Sequence, residues 1–155
     1  MISCYRFILF TCLILLSACS NNQPVKDSQL ALMKTTNPKP VIISNKKHSD
    51  RVEEIKKDVS SHPELYDVAV VKGKKDTLVV YKVKHLHRFR MKAIEKNVNK
   101  MLEEKYPKEN FTVSSDYKVF LEAVRLKEQI KSHDFSDQKA EKRFNEIVKM
   151  TEDMK

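Results

Sequence analysis

Apolar residues recur at helical spacing where ordered structure is expected to begin. Three of them lie three or four positions apart after Asp50, which is the spacing of one face of a helix. Asp50 and Glu53 stand three residues apart, as in a capping box, and Pro63 ends the segment because proline disfavours a helical residue before it. The sequence therefore predicts an amphipathic helix that starts at residues 49–50. Its buried face is expected to carry Val52, Ile55 and Val59.

Two runs rich in β-branched residues follow this helix. They cover residues 66–71 and 77–84, and a short segment holding Gly73, the only glycine in the chain, separates them. A lone glycine between two such runs predicts a hairpin whose turn has positive φ at that glycine. The second run alternates apolar with partly polar positions, which predicts a sheet with one covered face and one partly wet face.

Three further helices and one strand are predicted after the hairpin. The helices cover residues 86–105, residues 117–132 and a last segment capped by Ser136, and the strand covers 111–113. The polar residues just before 117, ending in Asp116, are expected to cap the second of these helices. The apolar stripe of the first is expected to carry Phe89, Ala93, Ile94, Val98, Met101 and Leu102.

This order of elements predicts an α+β fold. A small three-stranded sheet would be backed by two helices in the order α-β-β-α-β and followed by a C-terminal helical pair. The whole of 49–155 would form this single domain, with enough residues for one modest core.

The amino terminus has the pattern of a bacterial lipoprotein signal. Arg6 precedes an apolar core of about 10 residues, which is too short to cross a bilayer that needs roughly 20 helical residues. The run then closes on Leu-Ser-Ala and Cys19, as a lipobox does, so residues 1–18 read as a cleaved signal peptide. We therefore expect a diacylglycerol on the thiol of Cys19 that holds the exported protein on the outer face of the cell membrane.

The segment between the lipobox and the first helix reads as a flexible tether. Residues 19–48 are rich in Asn, Ser, Thr, Lys and Pro and show no sustained period. Val41, Ile42 and Ile43 form the one apolar cluster within it, and we expect them to pack on the edge of the domain. Because Cys4 and Cys12 leave with the signal, the mature chain has no cysteine pair for a disulfide.

Positive charge is concentrated in one stretch of the mature chain. Residues 72–100 hold ten basic and two acidic residues, a net charge of +8, and the rest of the mature chain sums to zero. A local excess of this kind is typical of a surface that faces an anionic partner, although it also suits a solubilising surface. The ten bases are Lys72, Lys74, Lys75, Lys82, Lys84, Arg88, Arg90, Lys92, Lys96 and Lys100.

Two anionic partners fit this stretch equally well. Anionic phospholipid suits a membrane-anchored chain, since each base near a charged surface is worth about 1 kcal/mol. An anionic wall polymer or peptidoglycan suits the exported location. Nucleic acid is not expected, because only Tyr81 and Phe89 are available as stacking aromatics between the bases.

The candidate groups for catalysis or metal binding are weak. His85 and His87 offer two ligands at a strand-to-helix junction, but no cysteine completes a site and the neighbouring bases repel a divalent cation. The adjacent acids Glu53-Glu54 and Glu103-Glu104 point about 100° apart on their helices. The sequence also lacks a nucleophile elbow and a glycine-rich phosphate loop. We therefore predict no catalytic residue, no metal and no cofactor.

With these residues in view, the chain resembles the sporulation lipoproteins of the YhcN/YlaJ family of endospore-forming Gram-positive bacteria. The likeness spans about residues 49–150 and is joined to the lipobox. It is carried by SDRVEEIKKDVSSHPELYDVAVV (49–71), DTLVVYKVK (76–84) and NFTVSSDYKVFLEAVRLKEQI (110–130). That family is similar to small exported modules of the lipid-binding BON type. The resemblance implies a protein made during sporulation and attached to a membrane of the forespore or spore, with some members tied to germination, and it supplies no catalytic residues to carry over.

We therefore expect a lipid-anchored interaction or structural module of the spore envelope. One alternative is a protein-binding subunit of a larger membrane-associated assembly, which would use the open sheet edge or the C-terminal helical pair. The other is an unrecognised cell-wall hydrolase.

Overall fold

The computed structural model describes residues 37–43, 49–132 and 134–153. These residues form a four-stranded sheet, four α-helices and one 3₁₀ helix, so the predicted α+β class is confirmed. In chain order the elements are β1 (Val41–Ile42), α1 (Ser49–Ser60), β2 (Leu65–Lys72), β3 (Asp76–Val83), the 3₁₀ helix (His85–Arg90), α2 (Met91–Lys105), β4 (Asn110–Ser114), α3 (Tyr117–Ile130) and α4 (Asp137–Glu152).

The strands lie side by side in the order β1-β2-β3-β4. β2 and β3 form an antiparallel hairpin, and each is flanked by a parallel partner, β1 on one side and β4 on the other. We call the end of the sheet at the hairpin turn (residues 73–75) the upper end. The opposite end, where β3 finishes at Val83 and β2 begins at Leu65, is the lower end.

The prediction of three strands is wrong, because β1 lies within the segment predicted as tether. Val41 pairs with Val71, Ile42 pairs with Lys72, and Ile43 is buried. These three residues were expected to pack on the edge of the domain, and that expectation is confirmed. They pair with β2 because three consecutive β-branched side chains bury apolar area and suit extended backbone.

α1 and α2 cover one face of the sheet. Their buried side chains form a single cluster with those of β2, β3 and β4, which includes the fully buried Tyr81 and Val113 of β4. The helical members of this cluster are Val52, Ile55, Val59, Ile94, Val98 and Leu102. The predicted buried face of α1 is therefore confirmed, and so is the part of the α2 stripe from Ile94 onward.

α3 and α4 cover the other face, which was predicted to be partly wet. Val71 and Leu78 pair across the hairpin on this face, and both are buried. Phe120 of α3 and Phe144 of α4 are also fully buried. The prediction is wrong because the C-terminal helical pair, expected to follow the sheet, packs against it.

A buried carboxylate links α3 to α4. Glu122 is only 6 % exposed, and its two oxygens accept hydrogen bonds from the guanidinium groups of Arg125 and Arg143. Arg143 also pairs with the exposed Glu146 at 2.8 Å, and these hydrogen bonds raise the pKa of the guanidinium. The charge of Glu122 is thus compensated where it leaves water, which a buried carboxylate requires.

Two helix starts are confirmed by their caps. The carboxylate of Asp116 accepts hydrogen bonds from the backbone N–H groups of Lys118 (2.7 Å) and Val119 (3.2 Å). The hydroxyl of Ser136 accepts from the N–H of Lys139 at 3.4 Å. α1, in contrast, begins one residue earlier than its expected cap, so Asp50 lies in its first turn.

Gly73 does not have the positive φ that was predicted for the turn. The structure gives another reason for glycine at this position. A Cβ built there would lie 2.5 Å from Cε1 and 2.8 Å from Cδ1 of the Phe144 ring, which is closer than real Cβ contacts. Glycine therefore lets α4 approach the upper end of the hairpin.

The start of α2 also differs from the prediction. Residues 85–90 form a 3₁₀ helix, and the α-helix begins only at Met91. Phe89, placed on the apolar stripe by the sequence pattern, is 84 % exposed, and Ala93 is exposed too. The spacing of apolar residues extrapolates an α-helical period into a segment that winds more tightly.

Asp58 links α1 to the end of α2. Its carboxylate accepts a hydrogen bond from the hydroxyl of Tyr106 and lies 2.6 Å from Nζ of Lys105. Burial alone would raise the pKa of Asp58, but the hydrogen bonds from Lys105 and Tyr106 hold it below its ordinary value. The ionised form of Asp58 is thus more stabilised in the folded protein than in the unfolded chain.

Replacement of Gly73 by alanine is predicted to destabilise the protein by about 1–3 kcal/mol, the usual cost of overpacking a filled site. The added methyl group would displace the Phe144 ring. Urea denaturation followed by circular dichroism measures the loss. The same substitution in a Phe144→Leu background should cost less, because the smaller side chain leaves room. Equal costs in both backgrounds would contradict the proposed contact.

Replacement of Asp58 by asparagine is predicted to lower the free energy of unfolding at pH 7. The folded-state pKa of Asp58 is depressed. Its contribution to the free energy of unfolding is therefore present above the unfolded-chain pKa of about 4 and is lost as the pH falls through the folded-state pKa. The difference in free energy of unfolding between the parent and the variant should thus narrow in urea titrations below about pH 4. Glu104→Gln, which removes an exposed partner of Lys100, is the control and should show little effect at any pH. A gap for D58N that stays constant with pH would refute the assignment.

Candidate functional site

Exposed apolar side chains gather at the lower end of the sheet. Among the described residues, four large apolar side chains are exposed, and all four lie there. Tyr66 stands at the start of β2 and Tyr117 at the start of α3, each about half exposed. Leu86 and Phe89 lie on the 3₁₀ helix and are 79 % and 84 % exposed. Single exposed apolar residues are ordinary on protein surfaces, but a group confined to one end is not.

The 3₁₀ helix places Leu86 and Phe89 on one side of the backbone. They are three residues apart, and side chains at this spacing eclipse each other in a 3₁₀ helix. Between and beside them stand two histidines and two arginines, with no acidic residue in the segment. The two most exposed apolar side chains thus form a ridge within a basic segment.

Five of the ten predicted bases surround this ridge. We call them the lower-end cations: Lys84, Arg88, Arg90, Lys92 and Lys96. All five are exposed, and none makes an ion pair or hydrogen bond through its side chain with another described residue. Their charges therefore remain available to a partner in solution.

Lys82 is withdrawn from the predicted basic surface. Its Nζ lies 3.1 Å from Oδ2 of the buried Asp67, its cross-strand partner. The ammonium group also lies over three aromatic rings: Phe120 at 4.5 Å, Tyr117 at 5.3 Å and Tyr66 at 5.8 Å from the ring centroids. Cation–π and ion-pair contacts of this kind stabilise the fold and leave little charge for a ligand.

Lys72 is withdrawn in the same way, close to the upper end. Its ammonium group pairs with the carboxylate of Glu109, and both side chains are largely buried. The same carboxylate lies 3.9 Å from Arg51 and accepts a 3.4 Å hydrogen bond from Thr77.

The remaining bases lie apart from the lower-end cations. Lys74 and Lys75 are exposed in the hairpin turn, and the eight residues of β3 separate them from Lys84, roughly 26 Å at 3.3 Å per residue. Lys100 is exposed on α2 and lies 3.8 Å from Glu104. The sequence segment 72–100 is therefore not one surface, because the hairpin carries its bases to both ends of the sheet.

An open groove of about 1450 Å³ adjoins the ridge along β4. Residues of α2, among them Lys92 and Lys96, line much of the groove, and Phe89 of the 3₁₀ helix lines it too. Phe111 of β4 and Thr151 of α4 also belong to its lining. Its lining is thus mixed, with acids and bases both present, and it is continuous with the basic end.

The described chain begins beside the lower end. The N–H of Asn37 donates a 3.0 Å hydrogen bond to Oδ1 of Asp67, and Lys56 donates to the carbonyl of Asn37 at 3.3 Å. Asn37 has a φ of 54°, a left-handed conformation that asparagine tolerates better than most residues. The segment 37–43 then runs upward to pair as β1. Cys19, the predicted signal peptide and residues 20–36 and 44–48 of the predicted tether lie outside the described residues.

The described residues do not gather side chains that could bind a metal ion together. Within 37–43, 49–132 and 134–153, no group of three His, Cys, Asp or Glu side chains could hold a metal ion. His85 and His87 both lie on the 3₁₀ helix. Burial, and to a lesser extent the charge of Glu95, raises the pKa of Tyr81, whose hydroxyl has no hydrogen-bond partner among the described residues.

Residues 37–43, 49–132 and 134–153 also contain no helix with the length and apolar character needed to span a bilayer.

Sequence reasoning found the lower-end cations but missed the ridge. The pattern gave no role to Leu86, and it predicted that Phe89 lies on the core side of α2. A usable signal was present: two bulky apolar residues at a spacing of three, within a six-residue run of only basic and histidine neighbours. Such a run cannot bury its apolar residues without also burying charge.

No family model, no curated protein and no solved structure matches this chain.

Proposed function

We propose that the protein is a lipid-anchored, non-enzymatic module of the spore envelope whose lower end binds an anionic surface. Cys19, carrying a diacylglycerol, would hold the chain on the outer face of the membrane. The observation that carries the proposal is the set of five exposed and unpaired lower-end cations. For a chain anchored in the membrane, the nearest anionic surface would be the phospholipid of that membrane. An anionic wall polymer is the alternative.

The position of Asn37 supports the same arrangement. A tether that starts at a lipidated Cys19 would join the described domain next to Asp67, near the lower-end cations. Two attachments at one end of the domain would act together, because the lipid anchor would hold the basic surface at high effective concentration next to the membrane. The exposed bases would each add about 1 kcal/mol near an anionic leaflet.

The rival proposal is a protein-binding subunit of a larger assembly. The groove along β4 favours it, since β4 is an edge strand of the described sheet and its lining offers both charges and the Phe111 side chain. Binding of this kind would survive high salt if the contacts were mainly apolar and backbone-mediated.

Removal of four lower-end cations is predicted to weaken vesicle binding at least tenfold. The variant is R88Q/R90Q/K92Q/K96Q in the mature chain without Cys19 (residues 20–155), and the measurement is co-sedimentation with phosphatidylglycerol vesicles at low salt. The expected loss follows from about 1 kcal/mol for each base near the surface.

The matched control removes four exposed bases from the upper end. It is K74Q/K75Q/K108Q/K139Q, in which Lys108 precedes β4 and Lys139 lies in the first turn of α4, the helix whose Glu141 accepts a hydrogen bond from the N–H of Lys74. This control should bind as the parent does. Equal loss in both variants would mean that net charge alone matters, and no loss in either would sink the lipid proposal.

The proposed role in the spore envelope predicts that the gene is transcribed during sporulation. Transcript levels followed from vegetative growth through spore formation measure this directly, with a constitutive gene as control. Transcription confined to vegetative cells would overturn the sporulation part of the proposal and leave the surface-binding part standing.

A further inference from the structure

We infer that the ridge formed by Leu86 and Phe89 inserts into the interfacial layer of an anionic bilayer. This inference rests on the proposed function and goes beyond it, because charge attraction alone would leave the protein outside the headgroups. It assigns the lower end a depth of binding and names the two side chains that enter.

The first argument is exposure. Leu86 and Phe89 are the most exposed large apolar side chains of the described residues, and the 3₁₀ helix turns both to one side. The 3₁₀ helix as a whole has no buried residue. Both side chains can therefore enter a bilayer without any rearrangement of the core.

The second argument is the chemistry around the ridge. The lower-end cations flank it, as expected of residues that meet the headgroups while the ridge reaches the acyl boundary. Tyr66 and Tyr117, half exposed at the same end, are residues typical of the membrane interface, where one side of the ring is apolar and the other is wet. A soluble wall polymer would engage the cations but offer nothing apolar to the ridge.

The third argument is the contrast with the upper end. Its exposed lysines in the hairpin turn have no large exposed apolar neighbour among the described residues. Among the described residues, exposed bases occur at both ends of the sheet, whereas the exposed large apolar side chains lie at the lower end. This asymmetry favours the lower end as the inserted end.

The test uses tryptophan as a depth reporter, since the chain contains no tryptophan of its own. Phe89→Trp in residues 20–155 should show a blue shift in emission on addition of phosphatidylglycerol vesicles and should be quenched by bromine-labelled acyl chains. Lys75→Trp, at the upper end, is the matched control and should show neither change. Replacement of both ridge residues, L86S/F89S, should weaken vesicle binding about 10- to 100-fold, because the two apolar side chains that would enter the bilayer are removed.

The outcomes separate this inference from the proposed function. If the Phe89→Trp protein sediments with vesicles but its emission neither shifts nor is quenched, insertion is overturned while surface binding stands. If L86S/F89S binds vesicles as tightly as the parent, insertion is likewise overturned. If the parent binds an isolated wall polymer and no vesicles, both the inference and its lipid basis fall.

Discussion

The β2–β3 hairpin imposes the constraint on which the rest of the structure depends. Nearly every residue in its middle is apolar, on both faces, so neither face can be left to water. α1 and α2 must therefore cover one face while α3 and α4 cover the other. Once both faces are covered, the ends of the sheet, its edges and the outer sides of the helices remain for a partner. The position of the proposed binding surface at an end follows from how the core is built.

The same constraint explains the different fates of the basic residues. Lys72 and Lys82 lie within strands, where the covering helices approach, and each has a carboxylate partner there. A lysine that is largely removed from water needs such a partner, because an isolated buried charge is costly. Bases beyond the strand ends meet no such demand and stay in solvent. Clustering along a sequence is therefore a poor guide to clustering in space when a strand runs through the cluster.

Much of the fold could be predicted from residue patterns, because helices and strands leave different periods in the sequence. The period of α1 and the cap at Asp116 are local signals, and the structure agrees with both. The strand at Val41–Ile42 was missed because its two residues carry no period and depend on pairing with β2. The packing of the C-terminal helical pair on the second face was missed for a similar reason, because the pattern of an amphipathic helix shows which of its faces is buried but not what that face packs against.

The candidate site was also predictable only in part. The positive charge of the lower end could be predicted, since lysines and arginines can be counted in the sequence. The ridge could not, because the exposure of Phe89 depends on where the 3₁₀ helix ends and α2 begins. Gly73 shows the same limit, since the ring that excludes a side chain there lies 71 residues later in the chain.

The contacts of Asn37 have a mechanical consequence. A pull on the chain from its amino-terminal side meets first the hydrogen bonds of Asn37 with Asp67 and Lys56, and then the two paired residues of β1. These contacts join the edge segment to β2 and α1, and they pair far fewer residues than β2 and β3 pair with each other. The edge segment would thus detach from the sheet before the core unfolds. The predicted tether would then lengthen under tension while the part of the domain that carries the ridge stays folded.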